Sequence, residues 1–222
     1  MFEEKEGFEQ IRDTDMLWRY QDLPRYLDLL IRKQLFFTRF DRFEDPFEGR
    51  HNTPGRESNK GLIVAVSTWH MNNAENYAMW NIYAKSYGLA VQTNYKRLKD
   101  SFRGTDKPVY IGKVVYFNET NQQVPTEDPL MPFLHKRCMY EYENEVRCCY
   151  VLKENEKNFT WEEQDTYDGV FIQVDLDELI EKIFISPYAP KWFRDLVART
   201  NEAFHIDKEI VHSTVFKSEY FM

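Results

Sequence analysis

An α+β fold, with a mixed, mainly antiparallel sheet core and short flanking helices, is what the sequence predicts. Strand-like runs and helix-like periodicities alternate in short pieces, about eight of the first and five or six of the second. No strict strand-helix-strand repeat orders them, as a doubly wound parallel sheet would require. The 222 residues are 42% hydrophobic with 17 Phe and 14 Tyr, enough to bury a substantial core. No internal repeat is visible, so the chain reads as one domain over 1–222, with 1–15 as an N-terminal extension.

The elements follow in order. LWRY, residues 17–20, is a short strand-like segment before the first helix. QDLPRYLDLLIRKQ offers Asp22 as N-cap, Pro24 in the first turn and Leu27, Leu30 and Ile31 on one stripe, an amphipathic helix. QLFFTRF is a strand, and GLIVAVST, rich in β-branched residues, is a buried central one. NNAENYAMWNIYAKSYG opens on a capping Asn and stops at Gly88, which predicts a helix across it. GLAVQT then reads as a strand, NYKRLKDSF as a short helix and VYIGKVVYF as a longer strand. After the polar NETNQQVPTEDP, a helical DPLMPFLHKR feeds the strand MYEYENEVRCCY. VFIQVD, the capped helix DLDELIEKI, the strand IFIS, the helix APKWFRDLVARTNEAFH and the strand EIVHSTV complete the chain, with FTWEEQDTYDG as an exposed loop.

Several function classes find no support. A net charge of -8 spread through the sequence provides no dedicated nucleic-acid surface. The acidic N-terminus lacks the basic flank and apolar run of a secretory signal, and no stretch approaches the ~18 apolar residues of a membrane span. A cytoplasmic protein without membrane partners is expected. Cys138, Cys148 and Cys149 form neither a disulfide framework nor a zinc motif, and the five histidines lack paired ligand spacing, so no metal is predicted. Neither G-x-G-x-x-G nor G-x-x-x-x-G-K-[ST] is present.

Four stretches stand out. In LWRY, Arg19 sits between large aromatics, either as a stacked strand-edge residue or held to bind a planar anion. FFTRFDRFEDPFEGR crowds Arg39, Asp41, Asp45 and Glu48 into one turn stapled by Phe43 and Phe47, a candidate substrate loop together with Trp69. In VSTWH, Ser67 and Thr68 end a buried strand, where reactive groups and ordinary caps both occur; no G-x-S-x-G elbow surrounds Ser67. In MYEYENEVRCCY an extended chain would align Glu141, Glu143, Glu145 and Arg147 on one face, the carboxylates roughly 6 to 7 Å apart, with Tyr140, Tyr142, Val146 and Cys148 on the buried other. The row is then either a solvated face paired with cross-strand cations or the border of a cleft.

Taken in order, LWRY, FFTRFDRFEDPFEG, VSTWH with AMW, HKR, YENEVR and ISPYAPKWF resemble a bacterial family catalogued as domain of unknown function 2971, over roughly residues 17–215. The order Arg, Ser-Thr at a strand end, then Glu-x-Glu is also similar to the site pattern of the ADP-ribosyltransferase superfamily. That resemblance implies an ADP-ribosyltransferase-like fold and NAD as substrate. It implies that Arg19 contacts the dinucleotide, that Tyr20 stacks on one of its rings, that Ser67 and Thr68 position the site, that Glu145 is the catalytic carboxylate and that Glu143 meets the acceptor. Glu141 with Glu143 is a second register; Arg147 after Glu145 favours the first. A carboxylate suits the chemistry, because loss of nicotinamide passes through an oxocarbenium-like state.

The resulting expectation is an enzyme that cleaves NAD to modify a macromolecular acceptor, as a toxin or phage-defence effector. Two alternatives remain open. One is a non-catalytic interaction module of the same fold, with ISPYAPKWF and the aromatic loops as its surface. The other is a metal-dependent nuclease using Asp41, Asp45, Glu48 and the Glu row.

Overall fold

The computed structural model describes residues 2–3, 8–43, 45, 48, 63–118, 120–122, 124–125, 128–153 and 168–216. The predicted loop 159–169, except its last two residues, and Pro46, Phe47, Gly49, Gly61 and Leu62 lie outside them. In chain order the elements are β1 (Phe2–Glu3), β2 (Met16–Asp22), α1 (Leu23–Arg32), β3 (Gln34–Arg39), β4 (Val64–Met71), α2 (Tyr77–Tyr83), β5 (Gly88–Asn94), α3 (Tyr95–Ser101), β6 (Val109–Lys113), β7 (Val115–Phe117), β8 (His135–Arg137), β9 (Glu145–Val151), β10 (Gly169–Gln173), α4 (Leu176–Leu179), β11 (Lys182–Ile185), α5 (Lys191–Ala203) and β12 (Glu209–His212). The fold is α+β with a mainly antiparallel strand arrangement.

Local chemistry sets the boundaries. Asp22 caps α1 by accepting the Arg25 N–H at 3.0 Å, and Lys33 ends the helix in the left-handed region at φ 53°. The second helix is shorter than predicted. The Asn72 N–H is taken by the Met16 carbonyl at 3.1 Å, so Asn76 caps α2 instead, accepting from Ala78 and Met79. Gly88 starts β5 against the end of that helix, where a Cβ would stand 2.3 Å from the Ala84 oxygen. VYIGKVVYF is two strands, because the Val114 N–H between them turns to the Glu145 carbonyl at 2.9 Å.

The largest departure is in MYEYENEVRCCY. Cys138–Glu143 winds into a 3-10 helix, Asn144 takes the left-handed conformation at φ 39°, and the strand begins only at Glu145. An Asn tolerates that conformation, and its N–H closes the turn on the Glu141 carbonyl at 3.1 Å. The single row of carboxylates therefore does not form. Glu141 is exposed and Tyr142 is 49% exposed, not on a buried face, while Glu143 and Glu145 are buried.

The chain gathers into two compact units. The first comprises Met1–Gln10, Leu35–Thr68 and Thr105–Ile172. Its strands run β1, β6, β9, then the first residues of β4, then β3 and β10. The β6–β9 and β3–β4 pairs are antiparallel and β1–β6 is parallel; β7 and β8 form a separate parallel pair. Its core gathers Phe40, Val64, Val66, Phe133, Leu134 and Cys149.

The second unit comprises Ile11–Gln34, Trp69–Gly104 and Gln173–Met222. There the last residues of β4, then β2, β5, β11 and β12 are neighbours in that order, antiparallel up to β11 and parallel between β11 and β12. Trp18, Tyr20, Met79, Trp80 and Ala90 form its aromatic core. The Tyr26 hydroxyl donates to Asn201 Oδ1 of α5 at 2.8 Å, a buried tie between α1 and that helix. Among the described residues, no helix is long and apolar enough to cross a membrane.

Candidate active site

A cluster of five charged residues with buried side chains lies within the first unit: Glu48, Lys136, Glu143, Glu145 and Arg147. Arg147 is placed by β9 and is fully buried. Its Nε donates to Glu145 Oε2 at 2.7 Å, one terminal nitrogen to the Phe133 carbonyl at 2.8 Å and the other to Glu48 Oε2 at 2.8 Å. Gly112 stands opposite it on β6, and because a Cβ there would meet Leu134 at 2.5 Å, the glycine leaves room for that side chain. The rings of Phe40 and Phe43, stacked 4.7 Å apart, cover the guanidinium, with centroids 5.2 and 6.0 Å away.

Lys136, from β8, is the second cation. Its Nζ donates to Glu145 Oε1 at 2.7 Å, to Glu143 Oε2, and lies 3.1 Å from Glu48 Oε1. Three carboxylates thus match the three donors of an ammonium group. The Tyr140 ring centroid is 4.7 Å from the same nitrogen. Glu48 and Glu145 each bridge both cations, closing a ring of four alternating charges.

Proton affinities in the cluster diverge. Burial pushes the Glu145 carboxyl up, but the charge of Arg147, a hydrogen bond with Glu143 and the charge of Lys136 outweigh it and hold it well below the ordinary carboxylate range. Burial also raises Glu143, and there the hydrogen bond with Glu145 and its charge push the same way, so the carboxyl rises to about 7 against the pull of Lys136. Lys136 is drawn down by burial and, more strongly, up by Glu145 and Glu48. The Tyr116 hydroxyl accepts the Glu145 N–H at 2.9 Å, and burial with the nearby Glu145 charge raises its pKa.

The remaining predicted residues are placed as follows. Ser67 is buried in β4 and Thr68 beside it is exposed, both in the first unit. The crowded charges of FFTRFDRFEDPFEGR are paired: Arg39 grips Asp41 with two hydrogen bonds of 3.0 and 2.7 Å, Asp45 is 3.1 Å from Arg137, and Glu48 joins the cluster. Arg19, Tyr20 and Trp69 belong to the second unit. Arg19 is half-buried, its guanidinium 5.8 Å from the Trp69 ring centroid. Tyr20 is buried, edge-on to Trp80 at 4.9 Å, and its hydroxyl accepts the Asn76 N–H.

Sequence reasoning gave no role to Lys136 or Tyr116 and used Arg147 to choose the register of the glutamates. The available signal was the lysine of HKR, directly after the apolar run MPFL and a few residues before a Glu-x-Glu.

No family model and no curated protein matches the chain. Among solved structures, Thermus sp. 2.9 DarT in complex with NAD+ is similar over 92% of this chain and 98% of that one, at 8% sequence identity and a TM-score of 0.42.

Proposed function

We propose that this protein is an ADP-ribosyltransferase-like enzyme that cleaves the nicotinamide glycosidic bond of NAD and passes ADP-ribose to a macromolecule, as a toxin or phage-defence effector. The observation that carries the reading is the Glu143–Glu145 pair: two buried carboxyl groups, one residue apart in sequence, sharing one lysine and pushed in opposite directions of proton affinity. A pair so divided supplies what the reaction needs, a fixed negative charge for the oxocarbenium-like state and a second group able to take a proton at neutral pH. Nicotinamide leaves as a neutral base, so the reaction requires no strong acid. Ser67 and Thr68 are the positioning hydroxyls of this reading.

Nicotinamide release from NAD, followed by chromatography, tests it. The wild type is expected to release nicotinamide, and the isosteric Glu145→Gln and Glu143→Gln variants to lose at least ~100-fold, the lower end of what a positioned carboxyl contributes. Release undiminished in both folded variants, or a wild type that neither releases nicotinamide nor melts higher with NAD, would sink the proposal.

An interaction module is the second reading, favoured by the exposed rings of Tyr87 and Trp192, 5.7 Å apart in the second unit. It predicts partner binding that survives Glu145→Gln and is lost in Trp192→Ala. The nuclease reading weakens, because Asp41, Asp45, Glu48 and Glu145 are each paired with an arginine or lysine.

A further inference from the structure

We propose that one face of the second unit, built by residues 76–87, 186–190 and the exposed side of α5, is a docking surface for a protein segment that carries apolar side chains among carboxylates. The proposal rests on the interaction reading and deepens it by naming the partner's chemistry, and it holds whether or not the chain cleaves NAD.

The two segments lie side by side. The Tyr188 hydroxyl donates to Asn81 Oδ1 at 3.0 Å, the Ser186 hydroxyl donates to the Lys85 carbonyl, and the Tyr87 and Trp192 ring centroids stand 5.7 Å apart. Phe216 closes one end, in edge contact with Tyr77 at 6.0 Å and with Tyr188 at 5.1 Å. Along this face Tyr77, Ile82, Tyr83, Tyr87, Trp192 and Phe216 are each 46 to 57% exposed, while Met79 and Trp80 of the same α2 are buried in the aromatic core. The unit thus has its core without them. Large rings held in water by an ordered frame have the composition of interface anchors, where Trp and Tyr are enriched and charge is depleted.

Charge selects the occupant. Residues 76–94 and 186–190 contain one charged side chain, Lys85, in a chain that is 30% charged. Exposed Lys191, Arg194 and Arg199 follow on α5 and, among the described residues, have no carboxylate in ion-pair range. Arg199 stands two turns from Trp192 on the same side of the helix, with Leu196 between them. Against these cations the face sets the carboxylates of Asp195 and Glu202; Glu75 at its margin is taken up by the Trp80 indole N–H and the Thr214 N–H, both at 3.1 Å. A positive excess therefore surrounds the rings in a chain of net charge -8. A second copy of the chain would set that excess against itself. An anionic bilayer or a nucleic-acid backbone presents one sign of charge, which Asp195 and Glu202 oppose, and rings in edge contact offer no parallel faces for bases. A protein segment can set carboxylates against Lys85 and Arg199 and apolar groups on the rings between them.

Phage-displayed random peptides selected on the full chain test the proposal. The selected peptides are expected to be rich in Asp and Glu among Leu, Phe or Trp, and to bind at least about tenfold more weakly to Trp192→Ala, Tyr83→Ala and Arg199→Glu. Copies with Lys in place of each carboxylate should not bind. All three substituted side chains are exposed, and thermal melts should match the wild type. In the wild type, amide shifts on adding a selected peptide should fall on residues 76–87 and 186–199, a reading that needs no variant. Peptides that depend on Trp192 without being acidic overturn the proposed partner and leave the interaction reading standing. Binding undiminished in Trp192→Ala and Tyr83→Ala, or no selected peptide, overturns both. The same amides shifted by oligothymidine or by vesicles of equimolar phosphatidylcholine and phosphatidylglycerol, or a dimer that Trp192→Ala dissociates, would assign the face to another occupant and overturn the proposal. Nicotinamide release by the wild type decides the NAD reading separately.

Discussion

Arg147 in the first unit and Trp80 in the second are both fully buried, large side chains, yet they are held by different physics. Trp80 packs edge-on to Tyr20 at 4.9 Å and uses one polar atom, its indole N–H, on Glu75 at 3.1 Å. Transfer of its ring from water is favourable by itself. Arg147 gains nothing from transfer and stays buried only because Glu48, Glu145 and the Phe133 carbonyl satisfy its donors. A well-packed apolar replacement of a complete buried ion network is often neutral or stabilising. The charged centre of the first unit is thus a weak device for stability and a strong one for setting proton affinity, and this is why the functional reading is placed there.

The largest expected effects test that contrast directly. Arg147→Met leaves the buried carboxylates of Glu48 and Glu145 with Lys136 as their one shared cation and should lose about 3 to 5 kcal/mol in denaturant titration at neutral pH. Trp80→Ala opens a cavity and should lose a similar amount, about 3 to 5 kcal/mol. Their pH dependence should separate them. The Arg147→Met deficit shrinks in acid as Glu145, whose carboxyl Arg147 holds well below the ordinary range, takes up its proton, whereas the Trp80→Ala deficit stays. Equal pH dependence for the two variants would mean that the first unit is held by packing in the same way as the second.

A smaller effect comes from Glu143 and has the opposite sign from the usual carboxylate. Its folded-state pKa lies above the ordinary value, at about 7, so the native state binds this proton more tightly than the unfolded chain does. The associated stability is complete below the ordinary carboxylate value and is lost as pH rises through 7. Glu145 works the other way: its lowered pKa adds stability above the ordinary value that is lost as pH falls toward its folded pKa. Unfolding free energy should therefore decline from about pH 5 to pH 8 in the wild type, and Glu143→Gln should flatten that decline. A profile unchanged by Glu143→Gln would remove the basis for its place in the proposed reaction as the group that takes a proton.

The contrast also explains what the sequence showed. Three helix starts were legible because a cap and the N–H that donates to it are neighbours in the chain: Asp22 with Arg25, Asn94 with Arg97, Asp175 with Asp177. β5 and β11 were legible from their apolar runs. The charged centre was half visible. Glu-x-Glu stood out, but Glu48 meets Arg147 across 99 residues, and nothing local distinguishes a loop carboxylate that folds inward from one that faces water. The turn at Asn144 was hidden for a related reason. Alternating Tyr and Glu fit a strand pattern, and the single residue that allows the bend, an Asn able to take a positive φ, is equally at home in a strand-end turn or on a surface.

The smallest effect uses a third arrangement of charge. On α3, Asp100 lies 2.5 Å from Lys96 and 2.8 Å from Arg103, distances like those around Arg147, but both cations are largely exposed. The hydrogen bond from Lys96 holds the Asp100 carboxyl below its ordinary value, with Arg103 and Lys99 adding to the pull. Solvent screening leaves such a pair worth about 0.3 to 0.5 kcal/mol. Asp100→Asn should therefore cost about 0.5 kcal/mol at low salt and nothing measurable at about 1 M, where the Debye length is near 3 Å. The deficit in Arg147→Met should persist at that salt, because no counterion can reach a fully buried guanidinium site. If salt erased both, water and ions would reach the charged centre, and Glu143 would lose the burial that raises its proton affinity.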